Sequence, residues 1–143
     1  MSKVRRHYKM EDVPVDRRLS PDHGWLKMEV QWVSTAEQSG SQYSVVGRTI
    51  FRPPEPGKSS MHDLHIHPNA EETILIISGT GRAISGDEEF AVGPGSVIFI
   101  PRGDRHLLEN TSPTEPMEAI WVYGGAPNLA GAGYKQLEPQ GKH

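Results

Sequence analysis

One short segment of the chain, HDLHIHPNAEE, holds three of its seven histidines together with two glutamates. Imidazole nitrogens and carboxylate oxygens are common ligands of divalent metal ions. His65 and His67 are two residues apart in an alternating apolar and polar stretch. Because residues two apart on a β-strand point to the same face, we expect both imidazoles to lie side by side, within reach of one ion.

Two acidic residues follow the histidine pair after a break in the strand. Pro68 ends the strand, so the chain can turn and bring Glu71 or Glu72 back toward the histidines. Strand parity does not separate the two glutamates across this break. Two histidines and one carboxylate form a facial set of metal ligands.

A second cluster lies downstream in the segment GSVIFIPRGDRHLLEN. Gly95 opens a predicted strand, an apolar run follows it, and Pro101 and Gly103 form a turn. His106 begins the returning strand and Asn110 closes it. This arrangement places another histidine directly after a tight turn, as a candidate partner of the first two.

The composition narrows the chemistry of such a site. The chain has no cysteine, so a metal ion must be held by nitrogen and oxygen, and disulfides or a cysteine nucleophile are excluded. A formal charge of −3 without a basic stripe gives no reason to expect nucleic acid as a partner. With no run of 18 apolar residues and no apolar N-terminal run, we expect no membrane partner and a cytoplasmic protein.

The elements that must position these side chains are predicted to be short strands. Fifteen glycines and twelve prolines favour many turns. Segments rich in β-branched and aromatic residues lie between them, and close spacing of about nine such strands predicts an all-β fold, a β-sandwich or barrel. The predicted strands are residues 26–33, 43–51, 63–67, 73–77, 82–84, 89–92, 97–100, 105–108 and 119–123.

The two ends of the chain differ from this body. Residues 1–24 are polar and contain prolines, which predicts an extended N-terminal arm that is able to pack across a neighbouring subunit. Residues 25–124 are predicted to form the single domain. Residues 125–143 are rich in Gly and Ala without a regular period, which predicts a loop or a loosely packed C-terminal extension.

The two clusters together resemble the motifs of the cupins, a family of small β-barrels that hold one metal ion. The second cupin motif is Gly, five residues, Pro-x-Gly, two residues, His, three residues, Asn, and the segment from Gly95 to Asn110 meets it at every defined position. The first motif is Gly, five residues, His-x-His, three or four residues, Glu, six residues, Gly. The residues that meet it are His65, His67, Glu72 and Gly79, while Ser59 replaces the leading glycine.

This resemblance implies a jelly-roll β-barrel in which four side chains converge on one divalent ion and form the catalytic centre. These side chains are His65, His67, Glu72 and His106. The spacing to Gly79 selects Glu72 over Glu71, which is then expected to point outward. The resemblance also implies a homodimer. Zinc is the favoured ion, and iron, manganese and nickel suit the same ligands.

His62 is a fifth candidate ligand that the motif does not use. In a regular strand it faces away from His65, whereas a bulge at the start of the strand would turn it inward. The site would then hold four histidines, and Glu72 would accept an imidazole N–H instead of binding the ion. Both arrangements remain open from the sequence.

The predicted interior is mostly apolar, with Phe51, Leu75 and Ile77 among its residues and Arg48 as one of few charged groups near it. Such a cavity favours a small hydrophobic aromatic or polyketide substrate. The chain most resembles the small cupin polyketide cyclases of bacterial aromatic antibiotic pathways, which implies ring closure by metal-assisted aldol chemistry. Alternatives are a metal-dependent dioxygenase of phenolic or flavonol-like substrates, a sugar isomerase, and a non-catalytic binding protein.

Overall fold

The computed structural model describes residues 4–16, 28–54 and 64–137. Within these ranges the regular structure is mostly β-strand, and each of the nine predicted strands overlaps an observed one. The ten strands are β1 (Met28–Ser34), β2 (Ser44–Phe51), β3 (His65–Ile66), β4 (Glu71–Ser78), β5 (Gly81–Ser85), β6 (Glu88–Val92), β7 (Val97–Ile100), β8 (His106–Asn110), β9 (Met117–Gly124) and β10 (Lys135–Gln136).

These strands form two antiparallel sheets of five strands each. The first sheet has the order β1-β2-β9-β4-β7, and the second has the order β10-β3-β8-β5-β6. Apolar side chains from both sheets meet in one core, so the sheets pack face to face as a jelly-roll sandwich. The strands of the described residues thus belong to two sheets rather than to one closed barrel.

Side-chain alternation explains why the first sheet has a buried face. Along β2 and β9 every second residue is buried and the others are partly exposed. Gly47 and Trp121 are direct cross-strand partners in these two strands. A Cβ at Gly47 would lie 2.0 Å from the Trp121 ring, so only glycine leaves room for this indole, whose Nε1 donates to Thr49 Oγ1 at 2.8 Å.

The predicted direction of two apolar side chains is wrong. Leu75 and Ile77 are 39% and 49% exposed and point outward from β4, not into the interior. The reason is parity, because Glu72, Ile74 and Ile76 occupy the inward positions of the same strand. Phe51 is buried in the core as expected.

The described part of the N-terminal arm packs on the sheet of its own chain. It contains a 3₁₀ helix, Met10–Asp12, and a bridge from Val15 to Gln31 in β1. The Gln31 side chain donates to the carbonyls of Met10 and Val13 at 3.1 and 2.8 Å. Val13 is buried, so this stretch is a fixed part of the domain surface.

The described part of the C-terminal extension, residues 125–137, is not a loose loop. It forms a short helix, α1 (Leu129–Ala132), and then β10, which pairs with β3. Asn128 caps α1 by accepting the Gly131 N–H at 2.8 Å, and Gly133 ends the helix with φ +83°. A four-residue helix and a two-residue strand are too short to leave a periodic pattern in the sequence, which is why no regular structure was predicted here.

The described residues include no helix that is long and apolar enough to cross a membrane.

Candidate metal centre

Three buried histidines of the second sheet converge at its inner face. His65 in β3 and His106 in β8 are direct cross-strand partners, and His67 directly follows β3. One nitrogen from each ring lies within 4.8 Å of the nitrogens from the other two. The exposed fraction of each residue is 2 to 3%. The expectation that His65 and His67 share a face is met, since Leu64 packs with Leu107 on the opposite side.

A glutamate of the first sheet faces these imidazoles across the core. Glu72 Oε1 lies 3.1 Å from His106 Nε2 and 3.6 Å from His67 Nε2. Glu72 is buried, whereas Glu71 is exposed, in agreement with the predicted orientation of the two. The cluster is therefore formed by side chains from both sheets.

Backbone carbonyls set the proton positions on two of the rings. His67 Nδ1 lies 2.6 Å from the Gly133 carbonyl oxygen, and His106 Nδ1 lies 3.1 Å from that of Asp104. A carbonyl oxygen only accepts, so each Nδ1 carries the hydrogen and donates it. The Nε2 atom of each neutral ring then presents a lone pair to the centre of the cluster.

Two buried polar atoms at this centre lack a hydrogen bond within the described part of the chain. They are Nε2 of His67 and Oε1 of Glu72. Leaving such atoms unsatisfied costs free energy, and an orphaned pair of electron donors is what a cation would satisfy. The residues present therefore fit a divalent metal ion bound by nitrogen and oxygen.

Burial also tunes the ionisable groups of the centre. It lowers the pKa of His67, while the Glu72 carboxylate and the Gly133 carbonyl oppose this shift more weakly. Burial, followed by the nearby Glu72 charge, raises the pKa of Tyr123 well above its usual value. At neutral pH the imidazole is thus uncharged and able to bind metal, and the phenol stays protonated.

The second motif owes its shape to turns and to one buried amide. Asn110 Nδ2 donates to the carbonyls of Phe51 and Glu115, each at 2.9 Å, and Asn110 Oδ1 accepts the Ser112 N–H at 2.8 Å. The Asn110 amide therefore holds together the end of β8, the end of β2 and the loop before β9.

The first and second motifs are also joined directly. Gly103 has φ +81°, a conformation that favours glycine, and its N–H donates to the His67 carbonyl at 3.1 Å. This hydrogen bond holds the turn that precedes His106 against His67, whose imidazole lies next to that of His106. The glycine at position 103 of the second motif thus helps to hold His106 beside His67 of the first motif.

A small cavity of about 40 Å³ lies beside the cluster. Thr49, Glu72, His65 and His106 are its polar lining, and no cationic side chain lines it among the described residues. The remaining lining is apolar or aromatic and comprises Met28, Phe51, Ile74, Leu107, Leu108, Trp121 and Tyr123. Such a volume takes about three water-sized groups.

His62 lies outside the described residues, so its role as a further ligand stays a prediction. Conversely, sequence reasoning missed Gly133 and Tyr134, which touch the cluster from the C-terminal extension. The only sequence sign of this contact is that Tyr134 is the one aromatic residue among residues 125–143.

Residues 54–123 match the family described as the cupin domain. Together with the two-sheet fold, this match shows that the matched part of the chain is a cupin domain.

Solved structures of similar fold include several enzymes. The polyketide cyclase RemF from Streptomyces resistomycificus superposes with a TM-score of 0.71 at 19% identity, over 94% of this chain and 87% of that chain. A predicted oxalate decarboxylase from Thermotoga maritima gives a TM-score of 0.68 at 22% identity, over 82% of this chain and 96% of the other. At these identities the likeness is one of fold.

A curated relative with a closer sequence is the mannose-1-phosphate guanylyltransferase RfbM of Salmonella typhimurium. It is 33% identical over 87 residues, which are 61% of this chain. The chain spans only 17% of the length of that protein.

Proposed function

We propose that the protein is a metal-dependent cupin enzyme that closes rings of an aromatic polyketide by metal-assisted aldol chemistry. The observation that carries the proposal is the placement of orphaned buried ligand atoms on His67 and Glu72 beside an apolar, aromatic-lined cavity. A buried site with convergent polar groups and perturbed pKa values is typical of an active site. The fold shared with the polyketide cyclase RemF supports the proposal.

In this proposal His65, His67, His106 and Glu72 hold one divalent ion, with zinc favoured. Zinc fits a set of imidazole and carboxylate ligands without sulfur, and iron, manganese and nickel fit it as well. An ion held there supplies Lewis-acid polarisation of a substrate carbonyl. Four protein ligands leave space for a substrate oxygen when the ion accepts five or six.

The cavity wall would position the reacting carbons. Its volume of about 40 Å³ is small, so we expect the reacting end of a substrate to lie beside the ligands. Phe51, Trp121 and Tyr123 offer flat apolar contacts to that end. The Tyr123 phenol is protonated at neutral pH and so is able to donate a hydrogen bond to a ketone oxygen. Fixed orientation of two reacting carbons accelerates an intramolecular closure strongly.

A phosphorylated sugar suits the described cavity poorly. Arg48 and Arg82 are bound by carboxylates away from the cavity, and Arg105 is exposed. No described lining group would neutralise a phosphate. The similarity to a mannose-1-phosphate guanylyltransferase covers only 17% of that protein and therefore gives no support for a sugar phosphate as substrate of this chain.

The alternative function is a dioxygenase of phenolic or flavonol-like substrates. The same histidines with Glu72 are typical ligands of a redox-active ion, and a phenol fits the aromatic lining equally well. The fold is also similar to that in a structure described as oxalate oxidase, at 20% identity and a TM-score of 0.65.

One experiment separates these functions. Protein purified without added metal is analysed for its metal content and then assayed on aromatic polyketides and flavonols in an oxygen electrode. We expect zinc, cyclised product and no oxygen uptake. Oxygen uptake that needs iron would favour the dioxygenase, and a wild-type protein that takes up no divalent metal would contradict both. His106→Ala is the matched variant and should retain no metal.

We also propose that a small hydrophobic aromatic or polyketide molecule is the substrate and that the protein acts as a homodimer. The apolar cavity supports the first statement. The second rests on an apolar outer face of the first sheet, where Val97 and Phe99 are 64% and 51% exposed.

A further inference from the structure

Part of the C-terminal extension, residues 128–137, contacts two of the three histidines from outside the cavity. We refer to these residues as the tail segment. The carbonyl of Gly133 accepts the hydrogen of His67 Nδ1 at 2.6 Å. The ring of Tyr134 stacks on the ring of His65, with centroids 4.7 Å apart and planes at 19°. Two consecutive residues of the tail segment thus touch two neighbouring candidate ligands.

Several backbone bonds hold the tail segment in this place. β10 pairs with β3, so that Gln136 is the cross-strand partner of His65. On one side of this pair Leu137 N–H donates to the Leu64 carbonyl at 2.8 Å, and on the other Asn69 N–H donates to the Ala132 carbonyl at 2.9 Å. Hydrogen bonds to the tail segment therefore hold both β3, which carries His65, and the turn after it, which follows His67.

Gly133 has a conformation that other residues rarely adopt. Its φ is +83°, and an added Cβ would lie 2.9 Å from two ring carbons of Pro68. A side chain at this position would push the carbonyl away from His67 Nδ1. The close approach of the tail segment to the Pro68 turn is what permits the 2.6 Å hydrogen bond.

We infer that the tail segment is a positioning element of the metal centre, in which Gly133 sets the tautomer of His67 and Tyr134 fixes the plane of the His65 ring. This inference rests on the proposed metal site. The matched cupin domain ends at residue 123, so these contacts belong to a part of the chain beyond it. Groups that orient metal-binding histidines typically change metal affinity by ~10-fold to 100-fold when removed.

The tautomer is tested on metal-free wild-type protein. Two-dimensional ¹⁵N NMR of the imidazoles distinguishes a ring protonated at Nδ1 from one protonated at Nε2. We expect His67 to carry its hydrogen on Nδ1. A hydrogen on Nε2 would overturn the inference, whether or not the protein binds metal, so this result is independent of the proposed function.

The affinity is tested by competition with a chromophoric chelator, using zinc as the probe. Gly133→Ala and Tyr134→Ala should each weaken zinc binding by ~10-fold or more, and Tyr134→Phe should restore it because the stacking face is retained. Gly95→Ala is the matched control: Gly95 also has a positive φ, of +86°, but an added Cβ there meets nothing within 4 Å. This control should lose stability without losing zinc affinity.

The inference fails if Gly133→Ala and Tyr134→Ala bind zinc within about twofold of the wild type. Should Gly133→Ala not fold, the comparison of Tyr134→Ala with Tyr134→Phe and the His67 tautomer still decide the question. A wild type that binds neither zinc nor another divalent metal would instead refute the proposed function, and the NMR measurement would then stand alone as the test of the positioning role.

Discussion

Glu72 reaches the histidine cluster from the opposite sheet, with its Oε1 at 3.1 Å from His106 Nε2 and 3.6 Å from His67 Nε2. Because Glu72 is buried with its carboxylate beside the imidazoles, the structure favours its direct binding to the ion. Whether Glu72 binds the ion or His62 takes that place is a question that one substitution answers.

We predict that Glu72→Gln loses most of the bound metal, with affinity reduced by ~10-fold or more, because a neutral amide replaces an anionic ligand. Metal content of the purified variant and a chelator titration measure this. Glu71→Gln is the control, since Glu71 is exposed on the same strand. Full metal content with lost activity would instead support a site of four histidines in which Glu72 only orients a ring.

The pKa of His67 predicts how the metal-free protein responds to acid. Burial lowers this pKa below the ordinary value of 6.5. The unfolded chain therefore takes up a proton on this residue before the folded chain does. The resulting stabilisation is fully present above about pH 6.5 and is lost as the pH falls below it.

Thermal unfolding of chelator-treated protein between about pH 8 and pH 5 checks this prediction. The midpoint should fall as the pH falls through about 6.5, and His67→Gln should show a smaller fall over the same interval. Equal pH dependence of the two proteins would show that His67 does not contribute.

At the scale of elements, alternation and turn residues were sufficient to predict nine strands near their observed positions. They also predicted that His65 and His67 share a face. Leu75 lies three residues after Glu72 on β4, so strand alternation places it on the outer face once Glu72 faces inward. The predicted inward direction of Leu75 could therefore have been corrected from the sequence. The contacts of Gly133 and Tyr134 were not predictable, because they depend on where a segment without a pattern returns in space.

β2 and β9 pack closely where Gly47 faces Trp121, and a substitution of Gly47 tests how much this contact stabilises the fold. Gly47→Ala places a methyl group against the Trp121 ring, at a distance of 2.0 Å before relaxation. We expect a loss of about 1–3 kcal/mol in the free energy of unfolding, from overpacking. Urea denaturation measures the loss. Gly93→Ala is the control, because its Cβ would meet nothing within 4 Å, and an equal effect in both variants would refute the explanation.

At the scale of the whole molecule, the outer face of the first sheet is apolar where a solvent-facing sheet is usually polar. Val97 and Phe99 are 64% and 51% exposed on β7, next to the exposed Leu75 and Ile77 of β4. Cross-strand partners continue this face as Val122 and Ile120 on β9. Strands with apolar residues on both sides are typical of sheets that are covered on both faces.

The apolar face covers part of the area that a stable interface buries. Its residues lie on three neighbouring strands, β7, β4 and β9, which at about 4.8 Å spacing and about 3.3 Å rise per residue give roughly 400 Å². A stable interface buries about 800 Å² on each partner, so the face would form the apolar centre of such an interface and the surrounding polar residues its remainder. The ion pair of Arg48 with Glu118 lies on the outer side as a polar rim, which is usual around an apolar interface.

We therefore expect the wild type to be a dimer in sedimentation equilibrium and Phe99→Glu to be a monomer, because the new charge would be buried in an apolar interface. Tyr43→Glu is the control, since Tyr43 is 74% exposed and outside this face. A monomeric wild type, or a Phe99→Glu variant that remains dimeric, would show that a different surface or none is used.

The proposed ligands come from both sheets, with the histidines on one and Glu72 on the other. A bound ion would therefore act as a reversible cross-link between the two halves of the sandwich. By mass action, free metal at a hundred times its dissociation constant adds about 2.7 kcal/mol to the free energy of unfolding. The melting temperature of the protein should consequently report the concentration of free metal around it, independently of any substrate.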